Sequence, residues 1–331
     1  MSRIAVLGAG SWGGTLSLLL AKNGCSVRLW VWDPEQASVM LRTGENPFVP
    51  GFPLPEDVSI TTSMSEAVQG ADGVIFVSPS EAARDVAREM AGCLPGGLPI
   101  ISGTKGLDTE TGLTISQTLR SILTHANPIA ALSGPNLAPE VVRGVPTATV
   151  VACEDETVAR WAQSLLMCST LRVYTNQDVI GVELAGALKN VIAIAAGICD
   201  GMGLGDNTKA ALLTRGLAEI TRLGVKLGAR PTTFMGLAGV GDLIVTCSSP
   251  ISRNHRVGIG LGKGGRLDDV VREIGQVAEG IPTTRAAYGL SKKHDTPMPI
   301  TEQVYQVLFE GKSPKDAVVA LMTRAPKDEV W

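Results

Sequence analysis

Residues 3–14 read RIAVLGAGSWGG and continue at 15–24 as TLSLLLAKNG. Ile4, Val6 and Leu7 belong to a short apolar run with β-branched members, too short for a helix and suited to a buried parallel strand. From Leu16 to Lys22 the pattern is apolar and helix-compatible, and Gly24 is placed as a C′ stop. The glycines between them therefore sit at a strand-to-helix turn, the context in which G-x-G-x-x-G carries meaning. Gly8 makes the tight turn, Gly10 leaves the backbone open to a pyrophosphate, and Gly13 lets the helix pack closely on its strand. Free N–H groups at the helix start, aided by its dipole, would hold the phosphate charge. A βα turn without a ligand has the same outline, but the flanking strand and helix favour a nucleotide site.

Chain length and composition set the frame for this turn. A chain of 331 residues predicts two domains. With 44% hydrophobic and 18% charged residues and a formal net charge of −3, it reads as a globular protein with large cores. Nothing in that balance supplies the basic excess a nucleic-acid partner needs. The N-terminus enters a strand directly, without a charged-then-apolar leader, so no signal peptide is expected. Apolar stretches such as VIAIAAGIC (191–199) read as shorter than a membrane span, bounded by Lys189 and Asp200. Six cysteines are scattered without a C-x-x-C pair, and the three histidines lack ligand-pair spacing, so no metal site is expected. Free thiols in a reducing cytoplasm are the simplest reading.

Up to about residue 176, strand-like and helix-like segments alternate. SVRLWV (26–31) reads as the second strand, and Asp33-Pro34 opens a helix as its cap and first residue. Ser63 and Glu66 form a candidate capping box ahead of GVIFVS (73–78). Further strands are expected at PIIS (99–102), IAALS (129–133), ATVVA (148–152) and LRVYT (171–175). The alternation implies an α/β fold with a mostly parallel, doubly wound sheet. Near Asn176-Gln177-Asp178, a polar cluster able to cap a helix, the pattern turns helical: 178–199, 208–228, 253–262, 267–274, 283–293 and 299–309. Domains of 1–177 and 178–331 follow, with a substrate expected in the cleft between them.

Within LAGALKNVIAIAAGIC (184–199), Lys189 is the single charge and Asn190 the single amide. An ammonium among apolar helix positions is costly unless it faces a polar cleft. Desolvation and nearby cations would lower its pKa toward that of a general acid or base. Equally, its stem could cross the apolar face and its head snorkel to water. GVGDLIVTC (239–247) and SRNHR (252–256) form the next concentration of unusual residues. Asp242 could open a helix or accept from a polyol, while Ser252, Arg253 and Asn254 supply a hydroxyl, a guanidinium fork and an amide suited to phosphate. A plain N-cap at Ser252 and a solvated helix face at Arg253 fit the same pattern. SGTKGL (102–107) and SGPNLAPE (133–140) each follow a strand, where doubly wound sheets place ligands. Lys105 could meet an anion there, and Gly134-Pro135 would set the backbone before a short helix near Asn136, although an ordinary loop and turn would look alike.

These motifs, in this order and across nearly the whole chain, resemble the NAD(P)-dependent sn-glycerol-3-phosphate dehydrogenases of bacterial type. They include VELAGALKNVIAIAAGICDGMGLGDNTKAALLTRGL (182–217), GLAGVGDLIVTC (236–247), SRNHRVG (252–258) and VAEGIPTT (277–284). The resemblance implies a Rossmann domain followed by an all-α domain of the 6-phosphogluconate dehydrogenase-like type. It implies NAD or NADP contacts at Gly8, Gly10, Ser11, Trp12, Gly13, Trp32, Phe48, Lys105, Ala138, Arg253, Val277 and Glu279. Glycerol phosphate would meet Lys105, Gly134, Asn136, Lys189, Asn190, Asp242, Ser252, Arg253 and Asn254, with Lys189 as the catalytic proton donor or acceptor. Asn136 departs from the serine or threonine often found in the family, and Trp32 from a basic residue. The implied reaction is reversible reduction of dihydroxyacetone phosphate for glycerophospholipid synthesis in the cytoplasm, by a chain whose homodimerisation is left open. Asp33 and the missing cation near Trp32 favour NADH over NADPH. Two alternatives stand beside it. In 3-hydroxyacid and 6-phosphogluconate-type dehydrogenases the lysine is followed four residues later by asparagine, whereas position 193 here is alanine. A non-catalytic nucleotide-binding relative would not need Lys189, Asp242 and Arg253-Asn254 together.

Overall fold

In a computed structural model, described for residues 1–326, 328 and 329, one eight-stranded sheet runs in the order β3-β2-β1-β4-β5-β6-β7-β8. The strands are β1 (Arg3–Leu7), β2 (Ser26–Trp30), β3 (Val58–Thr61), β4 (Gly73–Phe76), β5 (Ile100–Ser102), β6 (Ile129–Ser133), β7 (Thr147–Ala152) and β8 (Leu171–Asn176). All neighbours pair parallel except β6 and β7, which are antiparallel. Between the strands lie α1 (Ser11–Lys22), α2 (Pro34–Thr43), α3 (Met64–Val68), α4 (Ala83–Ala91), α5 (Ile115–Ile122), α6 (Ala138–Val142) and α7 (Glu156–Leu166). Alternation along β1 explains the layers. Ile4 and Val6 join one apolar cluster, Ala5 and Leu7 the cluster on the opposite face, and all four are buried.

The strands expected from sequence are present, and β3 adds one that was not expected. Its sequence VSIT buries Val58 alone, too weak a pattern to read without its partner β2. Asp33 caps α2 by accepting from the Glu35 N–H. The candidate capping box at Ser63 is half formed: Ser63 accepts from the Glu66 N–H, but the Glu66 carboxylate accepts from the Thr61 hydroxyl instead of reaching back.

The second half contains α8 (Val179–Gly201), α9 (Asp206–Lys226), α10 (Pro231–Phe234), α11 (Asp242–Ser248), α12 (Arg253–Gly262), α13 (Leu267–Ile274), α14 (Gly280–Lys293), α15 (Pro299–Phe309) and α16 (Pro314–Met322). Of these, α10 and α16 were not expected and α11 was only one of two readings of Asp242, and a π-helical turn, Leu237–Gly241, delivers the chain into α11. Asp178 caps α8 by accepting from the Gly181 N–H, and its other oxygen takes the Arg230 N–H and the Thr233 hydroxyl.

Helix α8 corrects the membrane reading based on short apolar stretches. With a mean hydropathy of 1.7 it is long and apolar enough to cross a bilayer, because alanine and glycine extend the run on both sides of Lys189. Yet 94% of that window is buried among the other helices, so here it is the axis of the second core. Its packing on α12 is unusually close. A Cβ on Gly197 would lie 2.1 Å from the His255 carbonyl, and one on Gly258 would lie 2.1 Å from the Ile194 carbonyl. Glycines at these crossing points bring the two backbones into contact and set Asn254 against Asn190.

Candidate active site

The segments leaving the C-terminal ends of β1, β4, β5 and β6 converge where α8, α11, α12 and the approach to α14 face the sheet. Gly8 adopts φ +121, and a Cβ there would lie 2.8 Å from the Val77 carbonyl, so only glycine passes between β1 and β4. A Cβ on Gly13 would sit 1.9 Å from the Gly8 carbonyl, while one on Gly10 would meet nothing within 4 Å. Gly10 is also the N-cap of α1 and supplies no side-chain acceptor, and the first turn carries no acidic residue. Open space at Gly10 and uncapped N–H groups fit the pyrophosphate of a dinucleotide.

Two residues that the motifs did not single out hold this loop. Gln36 Nε2 and Asn46 Nδ2 donate to the Ala9 carbonyl at 2.8 and 3.0 Å. Asn46 Oδ1 in turn accepts from the Phe48 N–H, which places Phe48, 39% exposed, beside the loop. Trp32 follows β2 with 75% of its surface exposed, an uncommon state for an indole and a ready stacking face. Ser11 is half-buried, and the Trp12 indole packs toward Gly103. Ala138 begins α6, and Val277 is exposed ahead of α14. Glu279 is clasped to Ser80, whose N–H donates to Oε1 at 3.0 Å and whose hydroxyl donates to Oε2. Burial pushes the Glu279 carboxyl up, against the Ser80 hydrogen bonds and the charge of Arg253.

Asp242 is the hub of the opposite wall. It is 2% exposed and joins two lysines: Lys105 Nζ donates to Oδ2 at 2.8 Å and Lys189 Nζ to Oδ1 at 3.0 Å. Thr246, one turn along α11, accepts from Lys189 at 2.5 Å and donates to Asp242 Oδ1 at 3.2 Å. The snorkelling alternative for Lys189 does not hold, because its side chain is 6% exposed and its head is paired inside the protein. The two lysines differ in what remains free. Lys105 also donates to the Gly134 carbonyl and to Asn136 Oδ1, so all its hydrogens have protein partners. Lys189 has two partners among the described residues, which leaves one hydrogen for a further acceptor. Burial, with help from Lys189, pushes the Lys105 ammonium down to about 8, against the pull of Asp242.

Asn190 and Asn254 face each other across the α8–α12 contact. Asn254 Nδ2 donates to Asn190 Oδ1 at 2.9 Å, and Asn254 Oδ1 accepts from the Gly280 N–H at 2.9 Å. Asn190 Nδ2 donates to the Lys105 carbonyl at 3.2 Å, so an amide chain ties the β5 loop to the start of α14. Ser252 is the N-cap of α12, accepting from the His255 N–H. In the 252–254 cluster Arg253 is the exposed member, and it makes no hydrogen bond or ion pair among the described residues. Thr246 escaped the motif reading, although its spacing of four from Asp242 on one helix was a usable signal. Among the described residues, no group of His, Cys, Asp or Glu is placed to hold a metal ion.

A glycine-turn nucleotide cradle, together with a buried lysine–aspartate–lysine cluster that joins the sheet half to the helical half, defines a nicotinamide-dependent dehydrogenase of the Rossmann-plus-helical class. The comparisons with known proteins are more specific. Residues 3–159 match the model for the N-terminus of NAD-dependent glycerol-3-phosphate dehydrogenase, and residues 178–319 match the model for its C-terminus. The chain belongs to the NAD-dependent glycerol-3-phosphate dehydrogenase family. It is 51% identical over 328 residues to glycerol-3-phosphate dehydrogenase [NAD(P)+] of Moorella thermoacetica, covering 99% of this chain and 97% of the relative. The enzyme of the same name from Geobacter sulfurreducens is 49% identical, with 99% of each chain covered. The crystal structure of glycerol-3-phosphate dehydrogenase from Coxiella burnetii superposes with a TM-score of 0.95 at 39% identity, covering 98% of this chain and 99% of the other.

Proposed function

We propose that this chain reduces dihydroxyacetone phosphate reversibly to sn-glycerol 3-phosphate, with residues 1–177 holding the nucleotide and 178–331 supplying the substrate side. Residues 327, 330 and 331 of that second span lie outside the described residues. The glycine turn at Gly8–Gly13 would hold a nicotinamide cofactor, which would supply or accept the hydride at C2. Lys189 gives its remaining hydrogen to the ketone oxygen, or takes the alcohol proton in reverse. Asp242 and Thr246 orient Lys189, and Lys105 keeps Asp242 in place from the sheet side. Arg253, exposed and with no hydrogen bond or ion pair among the described residues, anchors the phosphate and so aligns C2. The observation that carries this reading is the pair of lysines on one buried carboxylate facing the glycine turn.

The cofactor end supports NADH over NADPH. Arg28 lies inside β2, and its guanidinium donates to the Glu66 and Gln69 carbonyls, which turns it toward α3. Arg42 lies in the last turn of α2, and the half-buried Asp33 at its start would repel a 2′-phosphate. The same proposal places the enzyme in the cytoplasm, supplying glycerol 3-phosphate for phospholipid synthesis.

The test follows NADH absorbance with dihydroxyacetone phosphate and with unphosphorylated dihydroxyacetone. The expected result is a far larger kcat/KM for the phosphate, whose remote binding energy orients the reacting carbon. Equal values for the two ketones would defeat the phosphate anchor.

A further inference from the structure

Thr149 lies on β7, is fully buried and lies outside the motifs that define the family resemblance. Its hydroxyl donates to the Ser133 carbonyl at 2.7 Å, which leaves the oxygen as an acceptor. Asn136 Nδ2 donates to that oxygen at 3.1 Å. The amide is thereby oriented with Oδ1 toward Lys105 Nζ, which donates to it at 2.7 Å. The ammonium has only hydrogens to offer and the Thr149 oxygen only a lone pair, so each link in the series has one possible sense. Gly134, at φ +142, makes room for it: a Cβ there would lie 3.0 Å from Thr149 Cα and 3.1 Å from its hydroxyl oxygen.

We propose that Thr149 is a positioning residue for Lys105, acting through Asn136, and thereby holds the lysine–aspartate–lysine cluster in working register. The kinetic part rests on the function proposed above; the link from Thr149 to Lys105 does not. Without the hydroxyl, the buried Asn136 amide has no acceptor on the β7 side and turns, and Lys105 loses an acceptor that favours its charged form. The other charged groups facing Lys105 are Asp242 from α11 and Lys189 from α8, and neither is altered by a change on β7.

Thr149→Val, close in shape, is compared with Thr149→Ser and with Asn136→Leu, which cuts the same link from the other side should the valine variant fold poorly. The expected result is a fall of about tenfold in kcat/KM for dihydroxyacetone phosphate, the scale of one lost hydrogen bond to a charged group. NADH affinity should stay within about twofold, because the nucleotide cradle makes no use of this link. The alkaline limb of the pH profile should move to lower pH in Thr149→Val and return in Thr149→Ser. A second readout needs no turnover: acetylation of Lys105 by an amine-reactive reagent, followed by peptide mass spectrometry across pH, should titrate at lower pH in the valine and leucine variants. Wild-type rate and wild-type Lys105 titration in both variants would overturn the proposal, as would a serine variant that behaves like valine. A wild-type enzyme inert toward dihydroxyacetone phosphate would remove the proposed function, and the Lys105 titration would still decide the link.

Discussion

The two ends of the site are built in opposite ways. At the nucleotide end the groups lie within the first fifty residues and are open: Gly10 faces empty space, α1 begins without a side-chain cap, and Trp32 and Phe48 expose their rings. At the catalytic end they come from β5, β6, α8, α11 and α12, and almost every polar atom already has a protein partner. The open end can accept a ligand as it stands, whereas the closed end can only be tuned through what holds its charges. Substitutions at the closed end should therefore change turnover far more than nucleotide affinity, and those at the open end should do the reverse.

The largest expected effect is at the hub. Asp242→Asn removes the charge that two buried lysines share, and breaking a buried pair costs about 3–5 kcal/mol. A fall in kcat/KM of about a hundredfold or more is expected, with a lower Tm and NADH affinity close to wild type. A variant that kept its turnover would show that the cluster is structural. Arg253→Ala comes next. It should raise KM for the phosphate substrate and reduce kcat/KM by about 1.5–3 kcal/mol, the scale of hydrogen bonds to a charged group. Unchanged KM and kcat would assign Arg253 to an ordinary helix face. The smallest effect is expected at the open end, where Trp32→Arg should shift the NADH-to-NADPH ratio of kcat/KM toward NADPH by at most about 1.5–3 kcal/mol, with kcat retained. No shift would mean that position 32 does not face the ribose, and a tenfold wild-type preference for NADPH would refute the reading of Asp33.

The same division governs what could be read from the sequence. The glycine turn, the Asp33 cap and the alternation through β8 are local, and each was legible from neighbouring residues. Strand β3 was not, because a four-residue strand with one buried side chain is specified by its partner β2 and not by itself. The solitary charge at Lys189 marked α8, but its partners Asp242 and Thr246 lie 53 and 57 residues away and are brought in by the π turn before α11. The bonding of the Asn190 and Asn254 amides to each other and to backbone groups was not legible either. That exchange depends on the glycine contact between α8 and α12, whose crossing point no sequence period announces. Gln36, Asn46 and Thr149 carry ordinary side chains in ordinary patterns, and only the fold shows what they hold.

The central claim is that Lys189, held by Asp242 and Thr246, moves the proton that accompanies hydride transfer. Its most direct test is Lys189→Met assayed with NADH and dihydroxyacetone phosphate, with NADH binding measured in parallel. Methionine keeps the length and apolar stem of the lysine but can neither give nor take the proton. The account predicts a kcat lower by about 10²-fold or more, the scale of general acid–base catalysis, with NADH affinity retained. A folded variant that binds NADH and turns over at close to the wild-type rate would contradict it.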